Sequence, residues 1–375
     1  MTADTVQGFT QDRFAGVRDA MAANLASGAD LGASFAATIE GETVIDLWGG
    51  WADAARTRPW EADTIVNVYS TTKTMMALTA LLLADRGELD FAAPVARYWP
   101  EFAAAGKERV TTGQLMSHSA GLSGWEQRLA PADLYDWEKV TSLLAAQAPW
   151  WEPGSAPGYH AITQGYLVGE VVRRITGKTL GTVFREEIAE PLGADFHIGF
   201  GPEHDARVAD LIPPEAGMDL SSEIARKSLG NPGLDPRDTR TREWRAAEIP
   251  AAGGHGNARS VAEIHMLLAN GGIAKGKRLL SEAGCRKALE LQVEGHDAVL
   301  GLPIRYGLGF GLPGAMMPLP NPNTLFWGGY GGSLIVIDMD ARTTIAYAMN
   351  KMHSGTMGDS RAFGLMMAMQ QGLMA

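Results

Sequence analysis

Cysteine is almost absent from this chain: Cys285 is the only one in 375 residues. A lone cysteine excludes an intrachain disulfide and a thiolate metal cluster, and we expect a buried, inert thiol. No stretch reaches the roughly 18 to 20 apolar residues that a transmembrane helix needs. Lys and Arg number 32 against 43 Asp and Glu, which gives a formal net charge of −11. Because nucleic acids and anionic membranes bind proteins through clustered positive charge, the sequence predicts no nucleic-acid partner and no membrane partner.

Several motifs of catalysis and cofactor binding are missing as well. No Ser is centred in a Gly-x-Ser-x-Gly pentapeptide, so the nucleophile elbow of the α/β-hydrolases is not supported. There is no Walker loop and no His-Glu-x-x-His, and none of the eight His residues has another at i, i+4. We therefore expect no metal and no cofactor.

What the chain has is the composition of an ordinary globular protein, with 46% hydrophobic and 20% charged residues. Its length exceeds the usual size of one domain, so we expect one large or two interleaved domains. The first residues, MTADTVQGFTQDRF, lack the basic segment and apolar run of a secretory signal. We therefore predict a cytoplasmic protein.

Strand patterns lie near both ends of the chain and helical patterns lie between them. Runs of β-branched and apolar residues predict strands at 33–39, 43–48, 325–326, 333–338 and 343–349. Apolar residues at helical spacing predict helices at 8–28, 74–87, 111–117, 137–147, 162–176, 180–188 and 359–374. This order indicates an α/β domain formed by residues 1–68 and 266–375, with a helical domain inserted at residues 69–265. We expect the active site at the interface of the two.

A Ser-x-x-Lys tetrapeptide occurs once, from Ser70 to Lys73. On a helix the two side chains lie on one face a turn apart, so the ammonium can reach the hydroxyl. At a helix start, backbone N–H groups also favour developing negative charge. The alternative is an N-cap Ser followed by a solvated Lys. Because the helix after Lys73 is apolar all round, we favour a buried lysine. Burying a charged group is costly, so a buried lysine indicates a functional role.

Further motifs follow in a fixed order. Tyr159 lies in WEPGSAPGYHA, residues 151–161, and Trp327 opens the segment WGGYGGS, residues 327–333, which we place on a strand. Together with Ser70-x-x-Lys73, this order resembles the serine β-lactamase-like superfamily of class C β-lactamases and penicillin-binding proteins. It is most similar to the esterase branch, the family VIII carboxylesterases. Segments 110–123 and 306–309 also resemble that superfamily, so the resemblance spans residues 30 to 350.

The resemblance implies a fold and a set of roles. The fold would be β-lactamase/transpeptidase-like, a mostly antiparallel sheet flanked by helices with an inserted helical domain. Ser70 would be the nucleophile and Lys73 and Tyr159 its activators. The backbone N–H groups of Ser70 and Tyr330 would form the oxyanion hole.

The activators need a shifted pKa. Lys and Tyr ordinarily have pKa values of about 10.4 and 10, so neither is a ready base at neutral pH. Burial favours a neutral Lys73, whereas a lysinium beside Tyr159 favours tyrosinate. The two can share one proton, and the sequence leaves open which of them is the base.

Two positions depart from the β-lactamase pattern. Trp327 stands where a Lys or His is usual, and Ala161 stands where an Asn is usual. The first change removes a partner for a substrate carboxylate and the second removes an amide that grips the acyl group, so both favour neutral substrates. The predicted substrate pocket comprises Trp327, Gly328, Gly329, Trp125, Trp151 and Ala161. For Trp125 and Trp151, ordinary core packing is an equal alternative.

We predict a serine hydrolase that cleaves small carboxylic esters through an acyl-enzyme on Ser70, its only expected partner being the ester. The alternatives on the same fold are a β-lactamase or D-Ala-D-Ala peptidase-type amide hydrolase, an acyltransferase, and a non-catalytic binding protein. His160, next to Tyr159, is interpreted as a structural neighbour.

Overall fold

The structure is a computed structural model that describes residues 5–315 and 317–374. Its strands are β1 (Gln7–Thr10), β2 (Gly32–Ile39), β3 (Glu42–Gly50), β4 (Val66–Asn67), β5 (Phe196–Ile198), β6 (Gly254–Gly256), β7 (Ile273–Ala274), β8 (Lys277–Arg278), β9 (Val293–His296), β10 (Pro303–Tyr306), β11 (Thr324–Gly328), β12 (Leu334–Asp338) and β13 (Thr343–Met349). Its helices are α1 (Ala15–Ala26), α2 (Thr72–Asp85), α3 (Thr112–Met116), α4 (Trp137–Ala146), α5 (Thr163–Thr176), α6 (Leu180–Phe184), α7 (Glu190–Leu192), α8 (Glu223–Leu229), α9 (Arg242–Ala246), α10 (Ala258–Ala269), α11 (Glu282–Arg286) and α12 (Ser360–Met374).

The largest sheet is built from both ends of the chain. Its order is β1-β3-β2-β13-β12-β11, and every neighbouring pair is antiparallel. Helices α1 and α12 pack on each other, and α10 packs on β2, β12 and β13. The predicted mostly antiparallel sheet with flanking helices is confirmed.

The N-terminal helix prediction over 8–28 is wrong in its first part. Residues Gln7–Thr10 form an edge strand that pairs with β3, and helix α1 begins only at Ala15. Gly8 has φ +90, and a Cβ there would lie 2.0 Å from the Asp46 carbonyl oxygen. This close backbone contact is a tertiary effect, which helical spacing of Phe9 and Phe14 cannot show.

The predicted domain boundary at residues 265 and 266 falls inside α10. This helix is continuous and lies against the large sheet. We therefore place the end of the helical region before Ala258. Segment 327–333 also differs from expectation, because β11 ends at Gly328 and β12 begins at Leu334, so most of the segment is the turn between them.

Helix α2 positions the site. Its residues from Thr72 to Ala84 are all buried, as the apolar run predicts, and it packs against α5, α6 and α11. A three-stranded sheet of order β4-β6-β5 lies next to it, and the Val68 N–H donates to the Gly254 carbonyl at 3.0 Å. The start of α2 also meets the turn between β11 and β12, where the Thr71 and Ser333 hydroxyls lie 2.9 Å apart. Over the described ranges, no helix is both long and apolar enough to cross a bilayer.

Candidate active site

Ser70 lies in a strained turn between β4 and α2. The preceding residue, Tyr69, has φ +42, a left-handed conformation that costs free energy in a non-glycine residue. The Asn67 side-chain oxygen accepts from the Tyr69 N–H at 3.0 Å, and the Thr72 hydroxyl donates to the Tyr69 carbonyl at 2.5 Å. These contacts hold the turn so that Ser70 stands at the start of α2.

Lys73 follows one helical turn later and is fully buried. Its Nζ contacts the Ser70 Oγ at 3.0 Å and donates to the carbonyl oxygens of Ala161 at 2.6 Å and Ala251 at 3.0 Å. No carboxylate among the described residues forms an ion pair with it. Burial therefore lowers the pKa of Lys73 well below its ordinary value.

Tyr159 comes from the loop before α5 and reaches the same hydroxyl. Its Oη donates to the Ser70 Oγ at 2.5 Å, and the Lys73 Nζ lies 4.9 Å from the centre of its ring. Burial, with a contribution from the Asp297 carboxylate, raises the pKa of Tyr159 above its ordinary value. The phenol is therefore protonated at neutral pH, and side chains from two distant segments, residues 70–73 and residue 159, meet at the Ser70 Oγ.

The turn between β11 and β12 lies against the Ser70 turn. The Ser333 hydroxyl donates to the Val68 carbonyl at 2.8 Å and lies 2.9 Å from the Thr71 hydroxyl. At Gly329 a Cβ would lie 2.1 Å from that carbonyl oxygen, so only glycine fits there. Within the described part of the chain, the N–H groups of Ser70 and Tyr330 donate no hydrogen bond, and both residues line one cavity. Their role as an oxyanion hole, which the resemblance implies, stays a prediction.

Two small cavities meet at Tyr159 and Thr356. The first has a volume of about 60 Å³ and is lined by Ser70, Tyr330, Ala161 and mainly apolar side chains. The second, of about 20 Å³, is lined by Trp327, Gly328 and further aromatic and aliphatic residues. No Lys or Arg of the described chain lines either cavity.

The predicted pocket residues are thus divided. Trp125 is 1% exposed, donates its indole N–H to the Val140 carbonyl at 2.9 Å and packs edge-on against Tyr166. Trp151 donates its indole N–H to the Ala156 carbonyl at 3.1 Å. Neither lines the two cavities, so the pocket interpretation of Trp125 is corrected to core packing. Trp151 is half-buried and packs edge-on against His160, with the ring centres 6.2 Å apart. Gly329 shapes the turn and lines neither of the two cavities.

His160 lies beside Tyr159 as a structural residue. Its Nε2 accepts from the Leu122 N–H at 3.0 Å, and its Nδ1 lies 2.6 Å from the Gly158 carbonyl. Burial lowers the pKa of His160 to about 4, so the ring is neutral at neutral pH.

Sequence reasoning missed several residues around the site. The first cavity is also lined by Met218, Leu229 and Leu234, which come from the short helix α8 and the loops on either side of it, where the sequence has no recognisable motif. Asp297 and His118 contact the Tyr159 loop from distant segments. His118 lies in segment 110–123, whose likeness to the superfamily was the one signal that could have marked it.

The fold and the Ser70 arrangement define a protein of β-lactamase/transpeptidase-like structure with a serine at its active site. The sequence model of the family described as β-lactamase matches residues 17–365. The chain belongs to the β-lactamase family.

Individual relatives agree with this assignment. The esterase/beta-lactamase LipL of Mycobacterium tuberculosis is 36% identical over 368 residues, which is 93% of this chain and 84% of the relative. A solved structure described as a family VIII carboxylesterase is 45% identical, with a TM-score of 0.93 over 98% of this chain and 99% of the other. A penicillin-binding protein homologue from Caulobacter crescentus is 40% identical, with a TM-score of 0.92 and the same coverage.

Proposed function

We propose that this protein is a serine carboxylesterase that hydrolyses small carboxylic esters through an acyl-enzyme on Ser70. The observation that carries the proposal is the double contact of the Ser70 Oγ, 3.0 Å from the Lys73 Nζ and 2.5 Å from the Tyr159 Oη. A serine hydroxyl attacks poorly unless a base lies within hydrogen-bond reach. The relatives named as esterases support the choice of substrate.

The hydrogen bonds of Lys73 favour it as the base. A neutral amine has two N–H groups and one lone pair, and the carbonyls of Ala161 and Ala251 accept the two N–H groups. The lone pair is then left for the Ser70 O–H, while Tyr159 donates to another lone pair of the Ser70 Oγ. Both pKa directions agree, because burial disfavours lysinium and tyrosinate alike.

The reaction follows from this proton arrangement. The Ser70 Oγ attacks the ester carbonyl carbon and its proton passes to the Lys73 Nζ, while the N–H groups of Ser70 and Tyr330 bind the oxyanion. The bond to the alkoxide breaks, and the leaving oxygen takes a proton from the Lys73 and Tyr159 pair. Water then attacks the acyl-enzyme, gives its proton to the same pair, and Ser70 regains its hydrogen as the acid leaves.

The cavity walls support neutral, small substrates. Trp327 and Ala161 replace a cation and an amide, so the walls offer no obvious partner for a β-lactam carboxylate. A cavity of about 60 Å³ beside Ser70 suits a short acyl group. β-Lactam hydrolysis and acyl transfer are the alternatives on this fold. A cytoplasmic location stays a prediction, as does the absence of nucleic-acid and membrane partners.

The test compares p-nitrophenyl acetate with a chromogenic cephalosporin. We expect the wild type to turn over the ester faster, and Ser70→Ala to lower that rate by about three orders of magnitude or more. Ser260→Ala is the matched control, since Ser260 is a buried serine whose hydroxyl donates to the Asn257 carbonyl at 2.9 Å. It should leave the ester rate unchanged.

A fluorophosphonate should modify Ser70 in the wild type, as mass spectrometry of the labelled peptide would show. Faster turnover of the cephalosporin would reverse the substrate assignment. An unlabelled Ser70 together with no ester turnover would remove the catalytic proposal itself.

A further inference from the structure

Asp297 is a buried carboxylate with no cationic partner. It is 0% exposed and takes part in no ion pair within the described ranges. Its Oδ1 accepts from the N–H groups of Tyr159 at 3.1 Å, Val299 at 2.9 Å and Leu300 at 2.8 Å. Its Oδ2 accepts from the Tyr306 hydroxyl at 3.0 Å. Burying a carboxylate costs free energy, which the four hydrogen bonds offset. We therefore expect the Asp297 carboxylate to do more than fill space in the core.

Of the three N–H groups that donate to the Asp297 Oδ1, two are local and one is distant. The N–H groups two and three residues ahead form a side-chain turn of the kind that Asp makes in many loops. The loop is closed further by the Asp297 N–H, which donates to the Leu302 carbonyl at 2.8 Å. Leu300 lines the cavity that Trp327 also lines. The third N–H belongs to Tyr159, 138 residues earlier. One oxygen atom therefore joins a cavity wall to the main chain of Tyr159.

Neighbouring contacts strengthen this attachment. The His118 Nδ1 accepts from the N–H of His160 at 3.0 Å, so two consecutive N–H groups end on buried side-chain acceptors. The Tyr306 ring, whose hydroxyl is held by Asp297, packs 4.9 Å from the His118 ring and 5.7 Å from the Trp327 ring. His118 in turn packs 5.1 Å from the Tyr159 ring. The position of the Tyr159 phenol is thus fixed by the main-chain hydrogen bond to Asp297 and by the packing of His118 against its ring.

We propose that Asp297 is a positioning residue for Tyr159, holding the phenol at the Ser70 hydroxyl by accepting the Tyr159 N–H. This inference rests on the proposed catalytic role of Tyr159. Asp297 touches neither Ser70 nor Lys73 in the described structure and lines neither of the two cavities. Its effect on catalysis passes through Tyr159.

A matched pair of variants separates the contacts of Asp297 with Tyr159 and Tyr306 from its negative charge. Asp297→Asn keeps an oxygen at the same distance and can accept all three N–H groups. Asp297→Ser can still form the local turn with Val299 and Leu300, because Ser makes similar turns, but its shorter side chain does not reach Tyr159. We expect Asp297→Ser to lower kcat on p-nitrophenyl acetate by about 10- to 100-fold, as small misplacements of catalytic groups do. Asp297→Asn should stay within about threefold of the wild type.

A double-mutant cycle separates positioning from a structural role. If Asp297 acts through the Tyr159 hydroxyl, then Asp297→Ser should lower kcat no further once Tyr159→Phe has removed that hydroxyl. Rates are expressed per active site titrated with fluorophosphonate, so that unfolded protein in the sample does not lower the measured kcat. Asp53→Ser is the control, because Asp53 is a buried loop carboxylate that accepts from the Thr57 N–H at 2.9 Å. It should leave kcat per site unchanged in both backgrounds.

The outcomes are distinct. Multiplicative effects of Asp297→Ser and Tyr159→Phe, or equal losses in the Ser and Asn variants, would overturn the inference while leaving the esterase proposal intact. A wild type without ester turnover and without Ser70 labelling would defeat the proposed function first. Should Asp297→Ser give no folded protein, Asp297→Thr enters the same cycle with the same expected result.

Discussion

Two buried lysines of this protein share several kinds of contact and differ in the third hydrogen-bond partner of the amine. Lys73 and Lys107 are both 0% exposed, and the Nζ of each lies near an aromatic ring, 4.9 Å from Tyr159 and 5.2 Å from Phe102. Each Nζ has three hydrogen-bond partners. Those of Lys107 are all backbone carbonyls, of residues 104, 145 and 147, whereas one partner of Lys73 is the Ser70 hydroxyl.

That one partner decides what the amine can do. A carbonyl oxygen only accepts, so three carbonyls require three N–H groups and therefore an ammonium. A hydroxyl can also donate, so the amine beside it can be neutral and accept a proton. Burial lowers the pKa of Lys107 to about 8, which leaves it charged at neutral pH, and lowers that of Lys73 well below its ordinary value. Burial thus lowers the pKa of Lys73 further than that of Lys107, and only Lys73 also has a partner whose proton it can accept.

The largest expected effect separates the two lysines by activity. Lys73→Met replaces the amine with an apolar side chain of similar length, and we expect kcat/KM on p-nitrophenyl acetate to fall by about 10³- to 10⁴-fold, because the base is gone. Lys107→Met should stay within about threefold of the wild type per titrated site. Equal losses in the two variants would show that the amine at residue 73 has no special role.

The pH dependence of activity sharpens the comparison. Below the pKa of Lys73 the amine is protonated and cannot take the Ser70 proton. The kcat/KM value should therefore fall about tenfold for each pH unit below that pKa and level off above it. Steady-state rates and fluorophosphonate labelling rates, measured as the pH is lowered stepwise from 9, should show the same acid limb. Lys107→Met should leave the limb in place, and a limb that moves in that variant would contradict the assignment.

The smallest expected effect is on stability. Lys107→Met leaves the carbonyls of Ala104, Ala145 and Gln147 without their shared donor, so we expect the free energy of unfolding to fall by about 1–3 kcal/mol. Urea denaturation followed by circular dichroism measures this change. An unchanged midpoint would show that the Lys107 ammonium does not brace these segments.

Local patterns in the sequence predicted most of the elements near the site. The apolar run after Lys73 marked α2 as a buried helix, and β-branched runs marked β2, β3, β12 and β13. Each of these signals lies within one element, where side-chain periodicity reports which faces are buried. The edge strand Gln7–Thr10 escaped this reasoning because its partner is β3, not its own neighbours.

The order of the motifs predicted more of the site than side-chain periodicity could. Ser70, Lys73, Tyr159 and Tyr330 were named from their spacing and resemblance. The difference between Lys73 and Lys107 had no such signal, since nothing around residue 107 predicts burial.

By itself the sequence determined the hydrophobic pattern of the elements, the Ser-x-x-Lys pair on one helical face, and the absence of charge at the positions of Trp327 and Ala161. The tertiary structure alone decided that the Tyr159 phenol meets the Ser70 hydroxyl, that Trp125 lies in the core, and that Asp297 holds the Tyr159 main chain. The physical reason is how far apart along the sequence the interacting residues lie. Periodicity and helical spacing depend on residues within a few positions. The two contacts of Tyr159 join segments 89 and 138 residues apart, and only packing of the whole chain brings them together.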